Sequence, residues 1–334
     1  MYYFAGVLGT WFALMAGPAQ AAPADMMGPR GLLFVANKAE GSVSRIRLSD
    51  GREERRNSAC ETPHELALSP DGRHVAVGCY EGSTIEILRT GDLEKAATVE
   101  LGDGARPHGV VWHANGDLYA SAEGRKSVFR VRNPLAETRE VREFSTGREG
   151  SHMIVVSPDA RDAWTADLGS GTITRVDLVT RRAPRSVVTG KGSEGLALSS
   201  DGRSLWVSAR EENKLHELHP QTLEVRRTIT TGRFPLRVAI HPAGRWVVTS
   251  DLRDGSVTVI DAETGQIART IRVSGVEDTQ QATLLFDPTG ERLYVAETRL
   301  SKIAEIDFAS GRVLGRLAGG VGGDGLAILG PDGR

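Results

Sequence analysis

The sequence predicts an all-β protein, a seven-bladed β-propeller with four antiparallel strands per blade, and three observations carry that expectation. A turn signature recurs along the chain: GPRG at 28–31, SPDG at 69–72, HANG at 113–116, SPDA at 157–160, SSDG at 199–202, HPAG at 241–244, DPTG at 287–290 and GPDG at 330–333. The signature returns every 41–46 residues, the length of a multi-strand blade. Short alternating apolar runs separate the turns, which is the strand period. Glycine is abundant, with 39 in 334 residues, and aromatic residues are few at 5%, a composition that favours tight turns over helices.

In chain order, the first segment stands outside the fold. Tyr2 to Ala16 is apolar and uncharged, and AGPAQAAPA follows, with small residues at Ala19 and Ala21 that suit an A-x-A cleavage signal. Residues 1–22 read as a secretory signal peptide, which places the mature chain in the periplasm or outside the cell. No Lys or Arg precedes the apolar run, so retention as an anchor is the alternative. The run is short for a bilayer span, and no transmembrane segment is expected after processing. Residues 28–334 form one propeller domain, expected to be a monomer.

Each repeat then reads the same way. The strand after the turn is LLFVAN at 32–37, RSLWVSA at 203–209 or RLYVAE at 292–297. The next is SVSRIRL at 42–48, TITRVDL at 172–178 or SVTVIDA at 256–262. A more polar strand, such as EVRRTITT at 224–231, suits an outer edge. A short apolar strand such as GLALS at 195–199 suits the crowded position at the central axis. The chain starts at the strand after the turn and ends after an axial strand, DGLAIL at 324–329. That last strand is expected to complete the first blade and remove both free edges.

Two cysteines, Cys60 and Cys79, flank the hairpin turn at 69–72. If Leu68 faces Arg73, residue 62 faces Cys79 and Cys60 lies close by. A disulfide there would close a loop of about twenty residues and stabilise by roughly 3 kcal/mol; two buried thiols are the alternative. His113 and His241 stand at the first turn position and shape turns. His64, His108 and His152 stand instead at the start of the axial strand in three successive repeats, TPHEL, RPHGV and GSHMI, and Glu194 follows in GSEGL. Leu236, Ala282 and Gly325 or Asp324 take that place in the others, so the polar residues occupy one arc of one channel mouth. Three imidazoles and a carboxylate can ligate one divalent transition metal. The same histidines can equally cap loops and bond to neighbouring blades.

Four cations, Arg106, Arg148, Lys191 and Arg233, lie in loops that lead into axial strands, so a small anionic ligand at this mouth is a candidate. A solvated rim balanced by Glu123, Asp167, Asp251 and Glu297 is the alternative. Trp112, Trp164, Trp206 and Trp246 suit packing between blades. With 41 Lys and Arg against 43 Asp and Glu, the chain shows no electrostatic footprint for nucleic acid. No phosphate loop, G-x-S-x-G elbow or H-E-x-x-H helix occurs.

Phe34-Val35-Ala36-Asn37, Leu293-Tyr294-Val295-Ala296, the P-H-G at 107–109 and the S/D-P-x-G turns resemble the YVTN β-propeller repeat family over residues 28–334. The resemblance implies a seven-bladed ring and a secreted bacterial or archaeal protein. Asp167-Leu168-Gly169 is also similar to a D-L-G of seven-bladed lactonases. Two functions follow: a secreted binding or scaffold protein for a protein or small anionic ligand, or a metal-assisted lactonase or lyase using His64, His108, His152 and Glu194. One fold hosts many activities, so architecture does not choose between them.

Overall fold

The computed structural model describes residues 31–180 and 182–333. The expected signal segment, residues 1–22, and most of the first turn lie outside the described residues. Seven four-stranded antiparallel sheets form the molecule. The axial strands are Pro63–Leu68, Pro107–Trp112, Ser151–Val156, Ser193–Leu198, Pro235–Ile240, Gln281–Phe286 and Gly323–Leu329. We number the blades so that Gly323–Leu329 belongs to blade 1 and Pro63–Leu68 to blade 2. Each axial strand packs against the axial strands on both sides, so the ring is closed.

Closure follows the expected route. Gly323–Leu329 pairs with Leu32–Asn37, bringing Leu33 opposite Ile328 and Val35 opposite Leu326. The described core is seven apolar clusters, one between each pair of adjacent blades. Strand period 2 explains how one strand feeds two clusters. Leu33 and Val35 pack toward Tyr294 and Ala296 of blade 7, whereas Phe34 and Ala36 pack toward Leu66, Val75 and Val77 of blade 2. Such strands are apolar on both faces because both are covered. The outer strands are not: Arg52–Ser58 and Val225–Thr230 are largely exposed.

Trp164 and Trp206 are wholly buried between blades, and Trp164 Nε1 donates to the Pro220 carbonyl at 2.9 Å. Trp112 and Trp246 are half-buried. His113 Nδ1 accepts the Asn115 N–H at 3.2 Å and His241 Nδ1 accepts the Ala243 N–H at 3.1 Å, the turn-shaping role expected of both. Cys60 and Cys79 form a disulfide with Cα atoms 5.9 Å apart. The register differs from expectation: Leu68 faces Val75 rather than Arg73, and a bulge between Pro63 and Leu66 takes back one residue, so that Pro63, not residue 62, faces Cys79. Among the described residues, no helix is long and apolar enough to cross a membrane.

Candidate functional site at one channel mouth

Every blade enters its axial strand through a residue in the left-handed region: Thr62, Arg106, Gly150, Gly192, Phe234, Gln280 and Gly322, with φ between 48° and 72°. Two residues further on stand His64, His108, His152, Glu194, Leu236, Ala282 and Asp324. The pairing of the axial strand shifts at this point in all seven blades. The left-handed residue and the bulge together make a repeated kink that sets these seven positions as one ring. The close approach of backbones demands glycine beside them. A Cβ on Gly325 would lie 2.0 Å from the His64 carbonyl oxygen, and one on Gly195 would lie 2.9 Å from Arg237 Cα.

The three histidines meet. The His64 and His108 ring centroids are 4.1 Å apart, and His108 stacks on His152 at 3.5 Å. His108 is fully buried, and neither of its ring nitrogens has a hydrogen-bond partner. Tyr80 meets both His64 and His108 edge-on, at 5.4 and 5.5 Å.

His152 lies between two carboxylates, with Nδ1 bonded to Glu123 and Nε2 3.3 Å from Glu194 Oε1. Glu194 also pairs with Arg210, and with Arg237 at 2.5 Å. Arg237 reaches across the channel to Glu65 of blade 2 at 3.0 Å. Asp324 completes the arc: Lys38 Nζ lies 2.9 Å away, Thr283 donates at 3.2 Å, and His64 Nδ1 is at 3.5 Å. Tyr80 donates to Glu123 at 2.6 Å, and Arg106 covers the Tyr80 ring at 4.4 Å.

Burial sets the protonation pattern, and the partners divide it. Burial pulls His64 down to about 4, against the pull of Asp324. Burial, and then the neighbouring imidazoles, hold His108 well below the ordinary histidine range. Burial would lower His152 too, but its bonds to Glu123 and Glu194 outweigh it and hold the ring above its ordinary value. Burial would raise Glu194, yet His152 and Arg237 bring it down to about 2. Burial pushes Glu65 up, opposed by Arg237. Two neutral imidazoles therefore stand beside one imidazolium.

The structure brings together His64, His108, His152 and Glu194, but Glu194 is held by two arginines and His152 by two carboxylates. The group whose donor atoms all lie within 4.8 Å of one another is His64, Glu65 and His108. Each of the four rim cations has contacts of its own. Arg148 Nε donates to Ser186 Oγ at 3.1 Å, the Lys191 backbone N–H donates to Glu212 at 3.0 Å, and Arg233 pairs with Asp254 at 2.6 Å. Arg106 alone of the four reaches the histidine group, through Tyr80.

Of the predicted acids, Glu123 belongs to the site. Asp167 is bound by the hydroxyls of Ser151, Thr165, Thr172 and Thr174, Asp251 by those of Thr249 and Thr258, and Glu297 by Arg316 at 2.5 and 3.1 Å. These three brace their own blades. Sequence reasoning missed Glu65, Arg237, Arg210 and Lys38. Glu65 and Arg237 carried a usable signal, a charge within the otherwise apolar strands PHELAL and PLRVAI.

Comparison with known proteins agrees with the architecture. Residues 30–283 match the family model described as lactonase, 7-bladed beta-propeller. No curated protein sequence matches the chain. A chain of Kuenenia stuttgartiensis hydrazine synthase is similar with a TM-score of 0.66 at 18% identity, covering 78% of this chain and 87% of that one. A functionally unknown protein from Desulfotomaculum acetoxidans gives 0.71 at 14% identity, covering 90% and 100%. Streptogramin B lyase gives 0.66 at 15%, covering 81% and 90%. At these identities the likenesses show the fold alone.

Proposed function

The chain belongs to the lactonase family of seven-bladed β-propellers, and from that premise we propose that its polar channel mouth binds a small lactone-type ester and opens the ring by hydrolysis. The observation that carries this reading is His108. An unpartnered buried polar atom costs about 1–3 kcal/mol, and His108 has two, in contact with one neutral imidazole and one imidazolium. Such a group suits a site that awaits a polar guest better than a finished structural core.

The chemistry balances within these residues. Water adds to the ester carbonyl carbon and gives its proton to neutral His64 or His108. The carbon–oxygen bond of the ring breaks, and the departing alkoxide takes a proton from the protonated His152. Arg106 and Tyr80, at the outer side of the stack, suit an anionic or polar group on the substrate. The Cys60–Cys79 bridge supports a periplasmic or extracellular setting, since disulfides persist in oxidising compartments.

A closed binding or scaffold module is the second reading, favoured by one observation. Glu65, Glu123, Glu194 and Asp324 face Lys38, Arg210, Arg237 and protonated His152, so the network can neutralise itself. Hydrolysis of a lactone panel varied in ring size and charge separates the two. Turnover of at least one lactone, reduced about 100-fold or more in His152→Gln, supports the enzyme. No turnover of any member leaves the binding module.

A further inference from the structure

We propose that the channel mouth is a binding site for one divalent transition metal, held by His64, Glu65 and His108, and that Arg237 is a built-in competitor for the same carboxylate. The inference rests on the mouth being a ligand site, and it does not need lactone turnover.

Three observations point to an ion. The donor atoms of His64, Glu65 and His108 lie within 4.8 Å of one another, so small side-chain movements bring all three to the ~2.0–2.2 Å of a bound zinc-type ion. Both nitrogens of the fully buried His108 lack a partner. Asp324 stands 3.5 Å from His64 Nδ1 and is itself fixed by Thr283 and Lys38. That is the outer carboxylate that usually orients a metal-bound imidazole, and it leaves Nε2 for the ion. Two nitrogens and one carboxylate suit borderline metals such as zinc better than calcium or magnesium, which prefer oxygen.

His152 and Glu194 do not belong to this ligand set. The imidazole is hydrogen-bonded to Glu123 and has the Glu194 carboxylate 3.3 Å from its other nitrogen, and Glu194 answers two guanidinium groups. Glu65 has one cationic partner, Arg237 Nη2 at 3.0 Å. An ion bound to Glu65 replaces that partner. Arg237 then retains Glu194 at 2.5 Å, so it is not stranded as a buried unpaired charge. The mouth thus has two exclusive arrangements, one closed by arginine and one holding metal. In the second, the ion lowers the pKa of its bound water and takes over the task of the neutral imidazoles.

The test uses the full mature chain, purified without chelator and dialysed against zinc. Elemental analysis gives stoichiometry and competition with a chromophoric chelator gives affinity, with no lactone present. Failure of zinc uptake therefore leaves the ring-opening reading standing, and failure of hydrolysis leaves the metal site standing. The wild type should retain close to one equivalent of zinc. His108→Ala and Glu65→Gln should each weaken binding at least tenfold, His152→Gln should stay within about threefold, and Arg237→Gln should tighten binding at least tenfold. Should Arg237→Gln fail to fold by circular dichroism, Arg237→Met keeps the side-chain volume and carries the same expectation. Either result overturns the site: a wild type that retains no zinc, or a His108→Ala variant that retains as much. Unchanged affinity in the folded Arg237 variant overturns the competition.

Discussion

At the end of the second strand, four blades brace the chain with different residues. Pro63 faces Cys79, Ser151 faces Asp167, Pro235 faces Asp251 and Gln281 faces Glu297. In blades 2 and 4 the tie reaches the start of the axial strand, through Cys60 and Ser151, whereas in blades 6 and 7 it runs to the strands outside, through Thr258 and Arg316. Blade 2 uses a disulfide, blades 4 and 6 a carboxyl bound by hydroxyls, and blade 7 a Glu–Arg pair. Asp251 shows the cost. Burial lifts its carboxyl from 3.8 to about 7, despite the Thr258 and Thr249 hydroxyls. The unfolded chain loses that proton first as pH rises, so the native state loses stability from about pH 4 up to about pH 7 and no further. Asp251→Asn removes this dependence. The stability difference between variant and wild type should move in favour of asparagine between pH 4 and 8, by on the order of 4 kcal/mol. Urea unfolding across that range measures it, and a flat difference would show that Asp251 is ionised throughout. The histidines of the site were legible because one repeat position carries them in three successive blades. Arg237 and Glu65 each put a charge one residue later, where most blades have small or apolar residues, but nothing in the sequence showed them to be partners. Pairing across the ring joins them, and no local spacing records it.

The left-handed residue two places before the ring of site positions is a property of the axial-strand element. Three of the seven are glycine and four are Thr62, Arg106, Phe234 and Gln280, so no glycine pattern announced it. A side chain at such φ costs about 1 kcal/mol or more, most for a β-branched residue. Thr62→Gly should therefore be neutral or stabilising by up to about 1 kcal/mol, although glycine elsewhere in a strand destabilises. Gly150→Ala should cost about 1–2 kcal/mol, since its φ is +67° and its Cβ would lie 2.9 Å from the Gly169 nitrogen. Chemical denaturation of the two variants checks the pair. A Thr62→Gly loss as large as that of Gly150→Ala would mean that the kink is not strained. The four-strand repeat was plain in the sequence from the turn signature. The kink and bulge were not, because they depend on backbone geometry that many residue types satisfy at a price.

Across the whole molecule, the ring holds the site together. Residues from blade 2 and blade 6, Glu65 and Arg237, touch only because the circle is closed, and Asp324 reaches His64 only because Gly323–Leu329 completes blade 1. A chain truncated after Gly322 should lose cooperative thermal unfolding, because Leu32–Asn37 would present a bare edge and two inter-blade clusters would lose Leu326 and Ala327. A truncated chain that melts like the full one would contradict closure as the source of cooperativity. The seven-fold count and the closing strand were readable from turn spacing and from the strand types at the two ends of the domain. The rim cations each take a partner of their own, which equal loop position does not announce. The central claim is that the histidine stack inside the mouth, rather than the exposed rim, is where this protein acts. The most direct measurement is the hydrolysis rate of the best lactone substrate by wild type, His108→Ala and Arg233→Ala under one set of conditions. The account predicts a loss of about 100-fold or more in His108→Ala and less than about threefold in Arg233→Ala, whose partner is Asp254 on the rim. Equal rates in wild type and His108→Ala, or a larger loss in Arg233→Ala, would contradict it.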